Sequence, residues 1–400
     1  MQRRFLNLLG LVRKYVARLL RIAFRTLPTL GAIWLFKRLR IRFLPISHLD
    51  RIGHLALEPD CFLKDVALGR RPACRPWLLV RGGQRVANRC LLGYWKSRMT
   101  VIDSARAGGF LETLSAVREL RSEVHEYSVA IDGTAGFVAV QNAWQGRPAL
   151  LTLSGRDRER GRDCLRALGM PEDAWFVGVH CREAGYVHDP IHDYRNASID
   201  NYLMAIQAIT ARGGWCIRLG DPSMRPLPHL ERVIDYPFSE YRSDWMDVFL
   251  CASARYVLGN TSGLQVVASV FGVPSACANL APMSALSYGP DDLDICKLLY
   301  SRTDGRYLRF PEIFGSPIAN FRFTQQYADA GLEVHESTPG DVRDLALEML
   351  ERCEGVFTCT AEDERLQARF KALMQPGHYS YGSVTRIGRD FLRKYRHLLD

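Results

Sequence analysis

The sequence predicts an α/β protein made of two units with parallel sheets facing a cleft, preceded by a basic amphipathic helix. Three observations lead to this class. Short apolar runs such as "WFVGVH", "WCIRLG" and "RYVLGN" alternate with amphipathic segments, and strands that are apolar throughout are typical of parallel sheets buried on both faces. The length of 400 residues exceeds one ordinary domain. Polar, ionisable residues also gather directly after several apolar runs.

The positive charge of the chain is concentrated in its first 49 residues. The net charge is +10, yet no acidic residue precedes Asp50, and the remainder holds 42 basic against 43 acidic residues. A basic nucleic-acid binder is therefore disfavoured. The segment 1–40 is predicted to be an amphipathic helix on an anionic membrane surface. Its basic face includes Lys14, Arg18, Arg21 and Arg25. A helix packed on the protein's own core and a mitochondrial transit peptide are the alternatives.

Cysteine usage and hydropathy bear on location. The 11 cysteines occur without a CxxC pair or a secretory signal, so we expect a reducing compartment, no disulfide framework and no metal site. Within the segment 1–40 the longest uncharged run, 26–36, is far shorter than the ~20 residues of a membrane-spanning helix and contains Pro28. We expect a cytoplasmic protein, peripheral on the inner face of the cell membrane.

The first α/β unit is predicted over 41–155 and the second over 173–370. The first has expected strands at 43–46, 77–82 and 99–103 and helices at 55–66, 89–97 and 110–120. The second has expected strands at 175–180, 215–220, 233–237, 255–260 and 273–279 and helices at 199–213, 244–254 and 262–272. Residues 156–172 are predicted to be a linker, whose charged run "GRDRERGRD" is the solvated face of a helix or leads into one. Residues 371–400 are predicted to be a C-terminal helix, and a return of this helix to the first unit is one alternative.

Ionisable residues crowd the loop after the strand that ends at His180. Ligands of open α/β sheets bind at the carboxyl ends of the strands. His180 and Arg182 alternate along an extended end, so both can project the same way. A guanidinium there can bind a phosphate through two hydrogen bonds. Asp193 and Arg195 lie in the same loop. The alternatives are a surface pair of Arg182 with Glu183 and a structural ion pair of Asp193 with Arg195.

The stretch "LGNTSGL" is a second candidate anion site. A strand is predicted to end before Asn260, and Thr261, Ser262 and Gly263 then open a helix. Free N–H groups at a helix start favour anions. The stretch lacks the lysine of a Walker loop, and a GxGxxG fingerprint is absent. The alternative is an ordinary helix cap.

Acidic and hydroxyl residues follow two further strands of the second unit. Asp221 and Ser223 come after one, and Asp244 and Asp247 begin a helix. Each could bind a ribose or sugar hydroxyl, although a turn explains Asp221 and helix capping explains Asp244. No DxD motif occurs in a strand-end loop. Together these strand ends predict a nucleoside-diphosphate pocket without a metal site.

The stretch 175–282 resembles the donor domain of GT-B glycosyltransferases. "VHCRE" resembles the H-x-R motif of the α1,6-, Nod-factor and protein O-fucosyltransferase group. "LGNTSGLQVVASVFGVP" resembles the phosphate-binding Ser/Thr-Ser-Gly helix of GT-B enzymes, including heptosyltransferases. A longer set, with "RIGHLALEPDCFL", resembles a group of bacterial GT-B glycosyltransferases. Because Cys181-Arg182-Glu183 stands where fucosyltransferases usually have a second Arg, then Thr and Asp, only a nucleoside-diphosphate sugar is implied.

The resemblance implies an inverting, metal-independent glycosyltransferase without a cofactor, acting in bacterial surface polysaccharide or glycolipid assembly. Its acceptor would be a glycan or a lipid-linked sugar. Arg182, with His180, would act at the departing diphosphate, and Arg51, Gly53, His54 and Glu58 would form the acceptor side. His54 and Glu58 are candidates for the general base. A sugar-nucleotide epimerase of the same architecture and a non-catalytic membrane-bound scaffold are the alternatives.

Overall fold

The computed structural model describes residues 27–103, 108–129, 135–185 and 190–400. Most of the predicted amphipathic segment, residues 1–26, lies outside the described part, but residues 27–38 form a helix, α1. One face of α1 packs Ile33 and Phe36 against the aromatic residues Phe43 and Trp77 of the first sheet. In the part of the chain that is described, no helix combines the length and apolar character that a bilayer crossing demands.

The first sheet has three parallel strands in the order β1–β2–β3. Their bounds are β1 Ile41–Phe43, β2 Arg75–Val80 and β3 Thr100–Asp103. The helices of this unit are α2 Ile52–Ala67, α3 Arg89–Trp95, α4 Gly108–Ala116 and α5 Phe137–Trp144. The strands predicted at 77–82 and 99–103 are confirmed by β2 and β3, whereas β1 overlaps the expected 43–46 only at residue 43.

The second sheet has seven parallel strands in the order β13–β9–β8–β7–β4–β5–β6. Every residue of the interior strand β4 is buried, as expected for a strand covered on both faces. The strands are β4 Phe176–His180, β5 Trp215–Arg218, β6 Val233–Asp235, β7 Val257–Gly259, β8 Ser275–Leu280, β9 Leu293–Cys296 and β13 Arg386–Ile387. The predicted α/β class with two parallel sheets is confirmed.

Helices cover both faces of the second sheet. They are α6 Gly155–Ala167, α7 Leu203–Ala211, α8 Asp244–Ser253, α9 Gly263–Val270, α12 Pro339–Glu354, α13 Ala361–Ala372 and α14 Arg389–Lys394. The helix predicted for the charged run is α6, capped by the Ser154 hydroxyl, which accepts from the Asp157 N–H. It occupies most of the predicted linker 156–172.

A small antiparallel sheet, which the sequence did not indicate, follows β9. Its order is β11–β10–β12. Its strands are β10 Leu298–Ser301, β11 Arg306–Tyr307 and β12 Leu332–His335, and two short helices, α10 Phe310–Phe314 and α11 Thr324–Asp329, lie between them.

The C-terminal segment joins both units. β13 extends the large sheet, and α14 packs on α12 and α13. The loop before β13 reaches the first unit, where the Ser383 hydroxyl donates to Gln141 of α5 at 3.0 Å and the Ala135 N–H donates to the Tyr379 carbonyl at 2.8 Å.

The two units share one hydrophobic core where α2 lies against α9. Leu55 and Phe62 of α2 belong to the same buried cluster as Phe249 of α8 and Val267 of α9. Helices that bury a common apolar surface are held together by the hydrophobic effect, at roughly 25 cal/mol per Å². The starts of α2 and α9 therefore lie side by side, and this brings the candidate site together.

Candidate functional site

The floor of the candidate site is the buried end of β4. The His180 side chain is 7% exposed, and its Nδ1 donates to the Leu219 carbonyl at 3.1 Å. Burial lowers the pKa of His180 to about 4. The imidazole is therefore neutral near pH 7 and anchors the loop that follows.

A fully buried asparagine ties this loop to the end of β7. The Arg182 N–H donates to Asn260 Oδ1 at 2.8 Å, and Asn260 Nδ2 donates to the Arg195 carbonyl at 3.0 Å. Arg182 Nε also donates to Asn196 Oδ1 at 3.1 Å. Asn260 was predicted to bind the donor. Its amide oxygen and nitrogen are both hydrogen-bonded to the backbone of the two arginines and hold them in position.

Arg195 brings a second guanidinium to the same place. Its Nε and Nη2 donate to the Thr261 carbonyl at 3.2 and 2.7 Å, and no carboxylate pairs with it among the described residues. Burial, together with the neighbouring charges of Arg182 and Arg51, lowers the pKa of Arg195 to about 10. Cations from both units thus converge before α9, where an anion would relieve their repulsion.

The start of α9 adds neutral donors to these cations. Ser262 occupies the cap position without capping the helix through its side chain. The Ser262 hydroxyl and the Gln265 amide nitrogen are buried and have no hydrogen-bond partner in the described structure. A buried donor without a partner costs about 1–3 kcal/mol. A phosphate oxygen at the N-terminus of α9 would offer such donors an acceptor.

The glycines that open α2 and α9 touch each other. A Cβ at Gly263 would lie 2.7 Å from the Gly53 nitrogen and 3.1 Å from the Gly53 Cα. Real Cβ atoms essentially never come within 3.0 Å of another residue's heavy atoms, so a side chain at Gly263 would push the two helix starts apart. Gly53, which was predicted on the acceptor side, is the point where the backbone of α9 approaches α2.

The first turn of α2 presents an oriented imidazole. His54 Nδ1 lies 2.7 Å from Glu58 Oε1, and the fully buried Glu58 also accepts from the Ser47 N–H at 3.0 Å. The His54 side chain is 26% exposed. With Nδ1 held by the carboxylate, Nε2 is left to accept a proton. Both residues were candidates from the sequence; their i, i+4 spacing is the signal that pairs them.

Two ion pairs considered from the sequence are wrong. Asp193 Oδ1 accepts from Asn196 Nδ2 at 2.8 Å rather than from Arg195. Glu183 Oε2 accepts from Nη2 of the fully buried Arg218 at 2.6 Å, so it does not serve to neutralise Arg182.

The remaining predicted donor residues are engaged locally. Asp221 Oδ1 accepts from the Ser223 N–H at 2.8 Å, which is the turn foreseen as an alternative. Asp244 Oδ2 accepts from the Arg89 N–H at 2.8 Å and so connects α8 to α3. Helix capping, the alternative considered for Asp244, is wrong because the hydroxyl of Ser243 caps α8.

Asp247, predicted as a donor ligand, accepts from the Tyr236 hydroxyl at 2.8 Å. Burial raises the pKa of Asp247 to about 6. Its carboxylate is therefore committed to the start of α8, and no contact in the described residues joins it to the arginines.

Lys297, between β9 and β10, was missed from the sequence. It is 3% exposed, and its Nζ donates to the carbonyl of Asn196 at 2.5 Å. Burial lowers the pKa of Lys297 to about 8. Lys297 thus supports the residue that holds Arg182. A lone lysine inside the apolar run "ICKLLY" was the available signal.

No protein-family model and no curated protein matches the chain. Among solved structures, the glycosyl transferase family 9 protein from Veillonella parvula DSM 2008 is 12% identical, covering 73% of this chain and 95% of its own, with a TM-score of 0.44. E. coli ADP-heptose lps heptosyltransferase II is 11% identical over 64% and 90%, with a TM-score of 0.38.

A third similar structure is the dodecameric iron-containing heptosyltransferase TibC from enterotoxigenic E. coli H10407, in complex with ADP-D-β-D-heptose. It is 12% identical over 63% of this chain and 61% of its own, with a TM-score of 0.33. All three scores are below 0.5, so the likeness is loose.

Proposed function

We propose that the chain is a glycosyltransferase of the GT-B type, which moves a sugar from a nucleoside-diphosphate sugar to a glycan or lipid-linked acceptor. The observation that carries this proposal is the convergence of Arg182, Arg195 and Arg51 at the N-terminus of α9. Guanidinium groups bind phosphate oxygens through paired hydrogen bonds and remain charged at any working pH. A site with three guanidinium groups is better matched to the charge of a diphosphate than to that of a single carboxylate.

The departing diphosphate would be stabilised by this cluster. As the bond between the sugar's anomeric carbon and the phosphate oxygen breaks, negative charge grows on that oxygen. Arg182 and Arg195 are already held by Asn196 and the Thr261 carbonyl, so little reorganisation is needed as the charge develops. The N–H groups of α9 and the unpartnered Ser262 hydroxyl supply further donors.

The acceptor would be activated by His54. Its Nε2 would take the proton of the acceptor hydroxyl while the acceptor oxygen bonds to the anomeric carbon. Glu58, 2.7 Å from Nδ1, would stabilise the imidazolium that forms. A single displacement of this kind inverts the anomeric carbon, and the arginines take the place that a cation has in metal-dependent enzymes.

The proposal includes a cytoplasmic enzyme on the inner face of the cell membrane, without a cofactor, serving the assembly of a bacterial surface polysaccharide or glycolipid. Its support is the basic segment before Asp50 and the resemblance of "RIGHLALEPDCFL" and of the longer set that includes "LGNTSGL" to a group of bacterial GT-B glycosyltransferases.

A thermal-shift screen of the full chain against UDP, GDP, CMP and dTDP tests this function. One nucleoside diphosphate should raise the melting temperature with and without EDTA; at 100 times its Kd the stabilisation is about 2.7 kcal/mol. The Arg195→Gln variant should lose most of this shift, whereas Arg302→Gln, at an exposed ion pair, should keep it.

A turnover assay should then show release of the free nucleoside diphosphate when an acceptor is added. Failure of all four nucleotides to stabilise folded protein would overturn the proposal. A sugar product that stays attached to its nucleotide would indicate the epimerase instead.

A further inference from the structure

A basic groove lies at the end of α2 away from the candidate site. Two adjoining cavities of about 410 and 640 Å³ share Arg40, Ala73 and Cys74 in their walls. Besides Arg71, six cationic side chains line this basic groove: Lys37, Arg38, Arg40, Arg42, Arg75 and Arg121. Helix α2 has 16 residues and separates the groove from Arg51 by roughly 24 Å, at 1.5 Å per residue. The groove is therefore distinct from the proposed diphosphate site.

The charges of the groove are not compensated by the protein. None of the six cations has an ion-pair partner within the described ranges, whereas their neighbour Arg71 is paired with Glu126. Glu123, which lies 3.1 Å from His125, brings one carboxylate to the larger cavity, so the cations of the groove remain in clear excess. Like charges held together without counter-charges repel each other. A bound anion would relieve that repulsion.

An exposed apolar stripe on α1 runs into the groove. Leu27, Leu30 and Trp34 follow one another at i, i+3 and i+7, and they are 66%, 60% and 67% exposed. Lys37 and Arg38 come three and four residues after Trp34, which places them on the same side of the helix. The opposite side of α1 is already buried on Phe43 and Trp77. The stripe is therefore a second apolar face that the described chain does not cover.

We propose that the α1 stripe and the basic groove together form a membrane-binding site for anionic phospholipids. The apolar side chains would enter the boundary between headgroups and acyl chains, where tryptophan is favoured. A headgroup phosphate would enter the groove and pair with Arg42 and Arg121. Charge alone would also suit a nucleic acid, but a stripe of two leucines and a tryptophan beside the charge suits a bilayer interface. This proposal does not depend on glycosyl transfer.

Co-sedimentation of the full chain with vesicles tests this membrane-binding site. Vesicles of phosphatidylcholine with one quarter phosphatidylglycerol should bind the protein, and vesicles of phosphatidylcholine alone should bind it weakly. The groove variant Arg42→Gln/Arg121→Gln should bind the anionic vesicles roughly 25-fold more weakly, at about fivefold for each charge removed near the surface. The stripe variant Leu30→Ser/Trp34→Ser should also lose binding, because less apolar surface is buried.

Matched controls make the result decisive. Arg225→Gln/Arg302→Gln removes two charges from exposed ion pairs elsewhere and should bind as the wild type does. Arg182→Ala should also bind vesicles normally, because Arg182 belongs to the proposed diphosphate site and not to the membrane-binding site.

Three outcomes would overturn the proposal. The first is wild-type vesicle binding by groove and stripe variants that melt at the wild-type temperature. The second is loss of RNA binding in the groove variant with vesicle binding intact, which would indicate a nucleic-acid site. The third is a dimer that the stripe variant converts to monomers while vesicle binding persists, which would assign the stripe to a second copy of the chain.

Discussion

The cation cluster before α9 and the basic groove beside α1 both gather arginines, but they hold them differently. At the candidate site Arg195 donates twice to the Thr261 carbonyl, and Arg182 is fixed through its backbone and its Nε. In the groove, Lys37, Arg40 and Arg121 are exposed. Fixed guanidiniums suit one ligand geometry, whereas exposed ones can follow a fluid surface.

The difference sets the size of the effects expected from substitution. A preorganised donor in a partly buried site contributes about 2.7–4 kcal/mol to transition-state stabilisation. An exposed cation near an anionic membrane contributes about 1 kcal/mol and is screened by salt.

The largest effect is expected at Arg182. Because Arg182→Ala removes one fixed donor to the departing phosphate, it should lower kcat by about 10²–10³. Donor affinity should fall less, since Arg195 and the α9 N-terminus remain. Arg182→Lys keeps the charge but not the planar fork and should not restore turnover. Steady-state kinetics measure this loss, with Arg302→Ala as the control. Near-normal turnover by folded Arg182→Ala protein would mean that the fixed arginines contribute no more than exposed ones do.

The buried His180 should make the free energy of unfolding depend on pH. The pKa of His180 is about 4 in the fold and 6.5 ordinarily, so the unfolded chain binds the extra proton more readily. The stabilisation is complete above pH 6.5 and is lost as pH falls toward 4, for a total of about 3 kcal/mol at 1.36 kcal/mol per pKa unit. Denaturant unfolding between pH 7 and 4 measures it. His180→Gln should show a shallower acid decline; equal slopes for the two proteins would refute the assignment.

The support beneath the arginines should also be measurable. Asn260→Ala leaves the Arg182 N–H and the Arg195 carbonyl without their partner, so it should cost about 1–3 kcal/mol of unfolding free energy. Turnover should fall with it, because both guanidiniums lose their position. Asn142→Ala, which removes an exposed amide bonded to the Gly382 carbonyl, should cost less. Similar losses in the two variants would mean that Asn260 does not organise the site.

The smallest effect is expected in the basic groove. Arg121→Gln alone should weaken binding to anionic vesicles about fivefold. Raising the salt from 0.1 to 1 M shortens the Debye length from about 10 to about 3 Å, so vesicle binding should collapse while nucleotide binding falls less. Co-sedimentation and thermal shift across the same salt series would show this. Equal salt sensitivity would mean that the two clusters are not held differently.

Local sequence patterns predicted much of the second unit. The apolar run "WFVGVH" is β4, and the helix expected from Ser262 is α9. These elements are set by contiguous residues, and parallel strands bring their carboxyl ends to one edge of a sheet. Because of that geometry, the sequence predicts that Arg182, Arg195 and Thr261 lie together at the carboxyl edge of the second sheet.

Contacts between distant segments could not be predicted in the same way. Nothing near Gly53 in the sequence indicates that its backbone meets Gly263, 210 positions later. Lys297 is buried beneath Asn196 only because the chain returns there after β9. β1 also lies earlier than the apolar run 43–46 and begins directly after Arg40, which has a φ of 55°.

The contact between Gly53 and Gly263 also limits how this protein can change over time. With no side chain between α2 and α9, the two halves close a single core that includes Leu55 and Val267, so neither half covers its own apolar face. The chain should melt in one cooperative transition, and a first unit borrowed from another protein would fit only with a matching α9. Diversification of this protein is therefore expected in its surface loops, while the two halves are inherited together.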